Sequence, residues 1–191
     1  MASKGEIPTY SFEKPLRFFD TGSSEIAGNQ EFSTSYQERL NLTPKLSSKQ
    51  GNWRGERAES DFVPADDVSQ RELAKHGTDC VQYKDAVPNF TPVSEATVSI
   101  NEMTDDRYRN YSQADAKCAE QWNAEGRDGK TDWTDRDVAD WRTANGYTWH
   151  ECCDMKTCNL VKTELHESCR HSGGVAEYKA SHSMEGGQFD E

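Results

Sequence analysis

The stretch GYTWHECCDMKTCNLVKTELHESCRHSGG, residues 146–174, decides the fold of this chain. Its first segment, YTWHE at 147–151, alternates aromatic and polar side chains, as a β-strand does. CCDMK at 152–156 supplies a turn, and TCNLV at 157–161 has the composition of a second strand. The sequence therefore predicts a β-hairpin here.

The second half of this stretch has the pattern of a short helix. Thr163 is a candidate N-cap, and Leu165 and Cys169 would face a core from positions four residues apart. Gly173 and Gly174 would stop the helix. The whole stretch is predicted to fold as a hairpin followed by a helix, a ββα unit spanning 146–175.

Three of the chain's five histidines lie in this unit, at positions 150, 166 and 171. His166 and His171 are five residues apart, one more than the two histidines of a His-Glu-x-x-His protease helix. At ~100° per residue, His171 is rotated about 140° from the face of His166. The two side chains can converge only if the helix ends before His171, and Ser172-Gly173-Gly174 favours such an end. The spacing excludes the protease motif and leaves a metal site.

Four of the six cysteines, Cys152, Cys153, Cys158 and Cys169, lie in the same stretch. They raise the alternative of a closed structural zinc site, in a non-catalytic interaction module stabilised by the Cys/His cluster. Adjacent cysteines on a strand point to opposite faces, however, and the chain has no Cys-x-x-Cys pair. We therefore favour small buried thiols over zinc ligands.

Composition limits the classes of partner. The chain has 191 residues, a formal net charge of −12 and a pI near 4.9. An acidic chain repels nucleic acid at long range, because phosphate binding normally uses clustered Lys and Arg. A bound metal would supply positive charge locally. We expect no signal peptide and no membrane anchor, because no sufficiently long apolar run is present.

The rest of the chain predicts an α+β fold. Residues 1–50 are polar and turn-rich, which predicts a linker or a loosely ordered N-terminal arm before a domain over 51–191. Short strands with proline breaks are expected within 80–100, giving a small upstream sheet. Helices are expected at about 104–123, capped by Thr104, and at 134–144, where Thr134 and Asp137 resemble a capping pair and Gly146 ends the run.

These residues resemble a known family. Trp149-His150-Glu151, followed by Leu160-Val161 and by His166 with His171-Ser172-Gly173-Gly174, is similar to the HNH/endonuclease VII superfamily, in particular its WHH-type nucleases. Those nucleases are C-terminal toxin domains of bacterial polymorphic toxins, including contact-dependent and Rhs-like systems. The upstream segments GERAES, YKDAVPNF and NYSQAD add to the likeness, which covers about 51–180.

The resemblance implies a ββα-metal (His-Me finger) unit packed on two or three helices, with one divalent metal. His166 and His171 would be ligands on the helix side. His150 and Glu151 stand where relatives commonly have two histidines, one a ligand and one the general base. A histidine pKa near ~6.5 suits a base better than a glutamate pKa near ~4.3, whereas position in the motif favours Glu151 as base. The sequence leaves this choice open and predicts that both residues are essential.

Other residues receive supporting roles. Basic side chains around the motif are candidates for contacts with substrate phosphates: Lys156, Lys162 and Arg170. Structural support is expected from Trp149 and from an ion-paired group behind the site formed by Glu56, Arg57 and Glu59.

The function implied is that of a metal-dependent, non-specific DNA endonuclease, delivered by a toxin-export system into the cytoplasm of a target bacterium. A cognate immunity protein would neutralise it, and the unbound domain would be a monomer. An RNA-cleaving relative is an alternative, because nothing in the chain selects for a 2′-hydroxyl. Histidine and carboxylate ligands accommodate Zn, Ni, Mn or Mg, so the metal is not identified.

Overall fold

The computed structural model describes residues 30–185. Over this range the chain is a mixed α+β structure with six α-helices and two antiparallel sheets, which confirms the predicted fold class. The helices are α1 (Tyr36–Leu42), α2 (Asp67–Lys75), α3 (Arg107–Glu125), α4 (Asp135–Asn145), α5 (Thr163–Ser168) and α6 (Gly174–Glu185). The strands are β1 (Gly51–Trp53), β2 (Asp61–Pro64), β3 (Val81–Lys84), β4 (Val87–Pro88), β5 (Ala96–Ser99), β6 (Tyr147–Glu151) and β7 (Thr157–Lys162).

The β6–β7 hairpin is the centre of a three-stranded sheet in the order β5-β7-β6. Its register pairs Trp149 with Leu160 and Glu151 with Cys158, so the predicted hairpin is confirmed. Helices α3 and α4 cover one face of this sheet, and their apolar side chains share one core with Trp149 and Leu160. The unit therefore packs on the two helices that the sequence predicted.

The upstream sheet contains four strands in the order β1-β2-β3-β4. Its core includes Phe62, Tyr83 and Phe90, together with Val161 from β7 and Leu165 from α5. Strand β7 thus contributes Leu160 to one core and the next residue, Val161, to the other, because neighbouring residues of a strand point to opposite faces. Strand β7 therefore connects the two hydrophobic cores.

Helices α3 and α4 differ in how well their starts were predicted. Thr134 and Asp137 form the capping box at α4, and Gly146, at φ 68°, ends that helix as expected. Helix α3 begins at Arg107, so the predicted start at Thr104 was wrong. Asp106 caps it by accepting hydrogen bonds from the next turn, whereas the Thr104 hydroxyl donates to the buried side chain of Asn110.

Helix α5 is shorter than predicted. It ends at Ser168. The predicted Thr163 cap was wrong, because Thr163 is the first residue of the helix and the N-cap position is occupied by Lys162, whose side chain makes no capping hydrogen bond. Residues 169–173 leave the helix, which is the condition the histidine spacing required for His171 to turn back. Gly174 begins a further helix, α6, instead of stopping α5.

Part of the predicted N-terminal arm, residues 1–29, lies outside the described residues. The part from 30 to 50 contains α1 and is held by one buried side chain, Glu177, and one half-buried side chain, Arg57. The Glu177 carboxylate of α6 accepts hydrogen bonds from the amides of Ser33 and Thr34. Arg57 donates to the carbonyl oxygens of Leu40, Thr43 and Pro44 at 2.7–3.0 Å. The predicted domain boundary near residue 50 stays a prediction.

Within residues 30–185, no helix is both long and apolar enough to cross a membrane.

Candidate metal and catalytic site

The three histidines of the ββα unit converge. His150 lies on β6, His166 on α5 and His171 in the segment after α5. One ring nitrogen of each lies within 4.8 Å of those of the other two. Helix α5 is short enough for the chain to bring His171 back toward His166, so the end of the helix creates the cluster.

The ring of His171 is oriented by the backbone. Its Nδ1 lies 2.6 Å from the carbonyl oxygen of Cys169, and its Nε2 lies 2.9 Å from Nδ1 of His150. A ring that donates Nδ1–H to a carbonyl leaves Nε2 unprotonated in the neutral tautomer. This is the arrangement by which proteins orient a metal-binding imidazole.

Phe90 closes the apolar side of the cluster. Its ring centroid lies 4.9, 5.7 and 5.5 Å from those of His150, His166 and His171. Phe90 follows β4 and is only 1 % exposed. It therefore fixes the three imidazoles against the upstream sheet and keeps water from their rear side.

Burial lowers the pKa of every histidine in the cluster. The pKa of His150 falls well below its usual value, that of His166 to about 3 and that of His171 to about 4. All three rings are therefore neutral at pH 7, the protonation state in which imidazole binds a metal. Three neutral imidazoles that face one another fit a divalent transition metal such as zinc.

Glu151 lies beside the histidines and is 5 % exposed. Its Oε1 accepts a hydrogen bond of 2.9 Å from Nδ2 of Asn110, and its Oε2 lies 3.8 Å from Nε of Arg107. Burial raises the pKa of Glu151, although Asn110 and Arg107 oppose that shift. A carboxylate in a cleft with a raised pKa is better matched to proton transfer near neutral pH than an exposed one.

The Ser-Gly-Gly segment after His171 approaches the hairpin closely. A Cβ atom at Gly173 would lie 3.0 Å from the carbonyl oxygen of Glu151, and one at Gly174 would lie 2.4 Å from that of Cys152. Both glycines therefore lie where the segment packs directly against the hairpin backbone, and a side chain at Gly174 would collide with the carbonyl group of Cys152.

The cluster opens into a cleft of about 400 Å³. Besides the three histidines and Glu151, its walls include the cationic residues Arg107, Arg170 and Lys179. Of the three predicted phosphate-binding residues, only Arg170 lines this cleft. Lys156 does not, and the Lys162 ammonium donates to the carbonyl of Asn145 at 2.6 Å.

Trp149 supports the site from the core. It is fully buried, and its indole N–H donates to Asp115 Oδ1 at 2.8 Å. The same carboxylate accepts two hydrogen bonds from Arg142, at 2.9 and 3.1 Å. Asp115 of α3 therefore ties β6 and α4 together directly behind His150.

The expected ion-paired group at Glu56, Arg57 and Glu59 is not formed among the described residues. The turn at 56–60 directs both glutamates to solvent, and Glu59 accepts a hydrogen bond from the amide of Asp85. Arg57 instead binds the carbonyl oxygens of the N-terminal arm, as described above. The role of Arg57 is thus to hold residues 40–44.

The cysteines do not join the histidine cluster in the part of the chain that is described. Burial raises the pKa of the Cys153 and Cys158 thiols to about 12 and also raises those of Cys152 and Cys169. Metals bind the thiolate, which burial disfavours here. Three of these cysteines are buried small side chains and Cys152 is half-buried, and the geometry gives no support to the structural zinc alternative.

Sequence reasoning missed Phe90, Asn110 and Arg107 as site residues. Two of them lie in segments that carry the resemblance, Phe90 at the end of YKDAVPNF and Asn110 at the start of NYSQAD, and Arg107 shares one face of α3 with Asn110, three residues away. Nothing in the sequence places that face against Glu151, which is 41 residues beyond Asn110.

The hairpin, the short helix and the segment after it thus bring together three histidines that could hold a metal ion. A family model described as the DNase/tRNase domain of colicin-like bacteriocin matches residues 80–173. The match covers just under half of the chain and contains the hairpin, α5 and all three histidines. No curated protein matches the chain. The family match supports a nuclease toxin domain, in agreement with the resemblance found in the sequence.

Proposed function

We propose that this protein is a metal-dependent, non-specific DNA endonuclease of the WHH-type branch of the HNH superfamily, acting as an interbacterial toxin domain. The observation that carries the proposal is the convergence of three neutral histidines, one buried and two half-buried, with a buried carboxylate in one cleft. The family match over the same residues supports nucleic acid as the substrate class.

His150, His166 and His171 would hold one divalent metal. When bound, that metal supplies a Lewis acid that polarises the scissile phosphodiester and stabilises the leaving oxygen. The imidazoles fix its position through the backbone contact of His171 and through the packing of Phe90. The ligand set does not distinguish Zn, Ni, Mn and Mg, although nitrogen ligands favour the first two.

Glu151 would be the general base. The sequence left the choice between His150 and Glu151 open, and the geometry favours Glu151. His150 faces the other two imidazoles and is so poor a proton acceptor in its buried position that its pKa lies well below the usual value. Glu151 lines the cleft, and Asn110 holds its Oε1, so that Oε2, which lies 3.8 Å from Nε of Arg107, would take the proton of an attacking water.

Arg107 would bind a non-bridging oxygen of the scissile phosphate. It is the first residue of α3, its side chain is 67 % exposed, and its guanidinium lies in the cleft beside Glu151. Guanidinium groups recognise phosphate through charge-assisted hydrogen bonds. Binding the phosphate here would also place the water between it and Glu151.

The biological setting is proposed from the resemblance and the family match together. Domains of this kind are neutralised by immunity proteins and enter target cells, and we propose both for this chain. RNA is retained as a second substrate because the matching family's description includes tRNase activity.

Plasmid and RNA cleavage test the proposal. The purified chain is incubated with supercoiled plasmid or with total RNA, with added Zn, Ni, Mn or Mg or with EDTA. We expect metal-dependent nicking that falls at least 100-fold in Glu151→Gln, with metal binding retained. The matched control is His182→Ala, which replaces an exposed histidine outside the cleft; this variant should cleave normally. Intact nucleic acid under every condition would refute the proposal.

A further inference from the structure

A second concave surface lies next to the histidine cleft. It has a volume of about 310 Å³, and its walls come from the N-terminal arm and from Arg170. Arg170 lines both concavities, and Leu42, which lies between two residues that line the second one, lines the first. The two concavities are therefore neighbours that share a wall.

The second concavity is positively charged. Lys45, Lys49 and Arg170 line it, all three are exposed, and no carboxylate is among its lining residues. Within residues 30–185, no acidic side chain lies within 4.0 Å of these three cations. In a chain of net charge −12, three unneutralised cations around one concavity form a local attraction for an anion.

The loop that carries the lysines is fixed at both ends. On its N-terminal side, Pro44 O accepts hydrogen bonds from Arg57 at 2.9 Å and from the Trp53 indole at 3.0 Å. On its C-terminal side, Gln50 accepts a backbone hydrogen bond from Ala65 at 2.8 Å. A loop held in this way presents its lysines at little conformational cost on binding.

The remaining lining groups suit a phosphate. Ser47, Ser48 and Asn41 contribute neutral side chains of the kind that contact phosphate oxygens in nucleic-acid complexes. Aromatic side chains that would stack on a base are not among the lining residues, whose one apolar member is Pro44. The chemistry of the surface therefore fits the sugar–phosphate backbone and carries no base selectivity.

We propose that Lys45, Lys49 and Arg170 form a phosphate subsite that binds the polynucleotide strand next to the phosphate held at the histidines. This inference rests on the proposed nuclease function and adds to it the course of the strand, from the histidine cleft past Arg170 onto the N-terminal arm. The subsite gives an acidic protein a cationic contact with nucleic acid beyond that of its metal. It binds phosphates without reading sequence, which suits a non-specific nuclease.

The test compares Lys45→Gln/Lys49→Gln with wild type and with Lys84→Gln/Lys130→Gln. The control pair removes the same charge from exposed lysines that line neither concavity. Binding of a fluorescein-labelled 20-mer duplex is measured by anisotropy in EDTA over a range of salt concentrations, so that binding is independent of cleavage. Hydrolysis of bis(4-nitrophenyl) phosphate, a small diester that reaches only the histidine cleft, is measured with metal.

We expect Lys45→Gln/Lys49→Gln to bind the duplex roughly 10-fold more weakly than the control pair, with a salt slope smaller by about 2. Hydrolysis of the small diester should be unchanged. A salt slope and affinity equal to those of the control pair, or no duplex binding by wild type, would overturn the subsite. Failure of wild type to hydrolyse bis(4-nitrophenyl) phosphate with metal would instead refute the nuclease proposal. The anisotropy measurement, made without metal, would still decide whether the phosphate subsite exists.

Discussion

Asn110→Asp is the substitution that tests how the buried carboxylate of the site is held. The Asn110 side chain is fully buried and donates from Nδ2 to Thr104 O at 2.8 Å and to Glu151 Oε1 at 2.9 Å. Its Oδ1 accepts from the amide and the hydroxyl of Thr104. An aspartate keeps both accepted bonds, loses both donated ones, and places a second carboxylate against Glu151.

The expected cost follows from these contacts. Two lost hydrogen bonds cost about 1 kcal/mol each. Two buried carboxylates in contact repel each other, which raises the pKa of the pair and costs about 3 kcal/mol at pH 7, where both carboxylates of the unfolded chain are ionised. The free energy of unfolding should therefore fall by roughly 5 kcal/mol at pH 7. Cleavage should fall at least 100-fold, because Glu151 can no longer act as an oriented base.

The pH dependence gives a second signature. The folded-state pKa of the new pair lies above its unfolded value, so the associated stability is present at low pH and is lost as pH rises through the folded pKa. The difference in free energy of unfolding between wild type and Asn110→Asp should accordingly be about 1–2 kcal/mol smaller at pH 5 than at pH 7. Urea denaturation at the two pH values measures it.

Asn123→Asp is the matched control. Asn123 lies on the same helix, donates one bond of 2.9 Å to Trp133 O, accepts one from the amide of Trp133, and does not line the cleft. Its replacement should lower the free energy of unfolding by about 1 kcal/mol at both pH 7 and pH 5. Cleavage by this variant should be normal. If both variants lose the same stability, or if Asn110→Asp cleaves normally, the assigned role of Asn110 is wrong.

Three further predictions concern the scaffold. Tyr147→Phe removes the 2.6 Å hydrogen bond to Glu72. Burial raises the pKa of the Glu72 carboxyl, but its hydrogen bonds with Lys75 and Tyr147 lower that pKa by more, so the pKa lies below its usual value. Stability should drop by about 1–2 kcal/mol at pH 7, and the difference should vanish as pH falls through the Glu72 pKa; equal urea midpoints at pH 7 would contradict this. Asp115→Ala removes the acceptor of the buried Trp149 indole and of the half-buried Arg142 guanidinium, and it should cost about 3–5 kcal/mol, seen as a melting temperature lower by roughly 10 °C; a change under 2 °C would contradict it. Glu177→Ala should speed amide exchange at residues 33–34 without affecting the hairpin, and unchanged exchange would show that the arm is held elsewhere.

Local patterns predicted the elements that carry the site. The alternation in YTWHE, the capping box at Thr134 and the positive-φ position of Gly146 each act within a few residues, so the sequence displays them directly. The five-residue spacing of His166 and His171 required a helix end between them, and α5 supplies it at Ser168.

Contacts between distant segments could not be predicted in the same way. Thr104 and Asp106 are both good N-caps, and the choice between them depends on the buried side chain of Asn110. Helix α6 starts at a glycine without a side-chain cap signal and is fixed by its contact with residues 33–34 of the arm. Phe90 belongs to the site only because two sheets meet there.

Metal content and plasmid cleavage, measured on the same preparations of wild type and His166→Ala, test the central claim most directly. We predict one equivalent of transition metal per wild-type chain, with cleavage proportional to metal content. His166→Ala should bind the metal at least 10-fold more weakly and show no cleavage above background. Equal metal content in the two proteins, or cleavage by His166→Ala at the wild-type rate, would contradict a metal nuclease built on these three histidines.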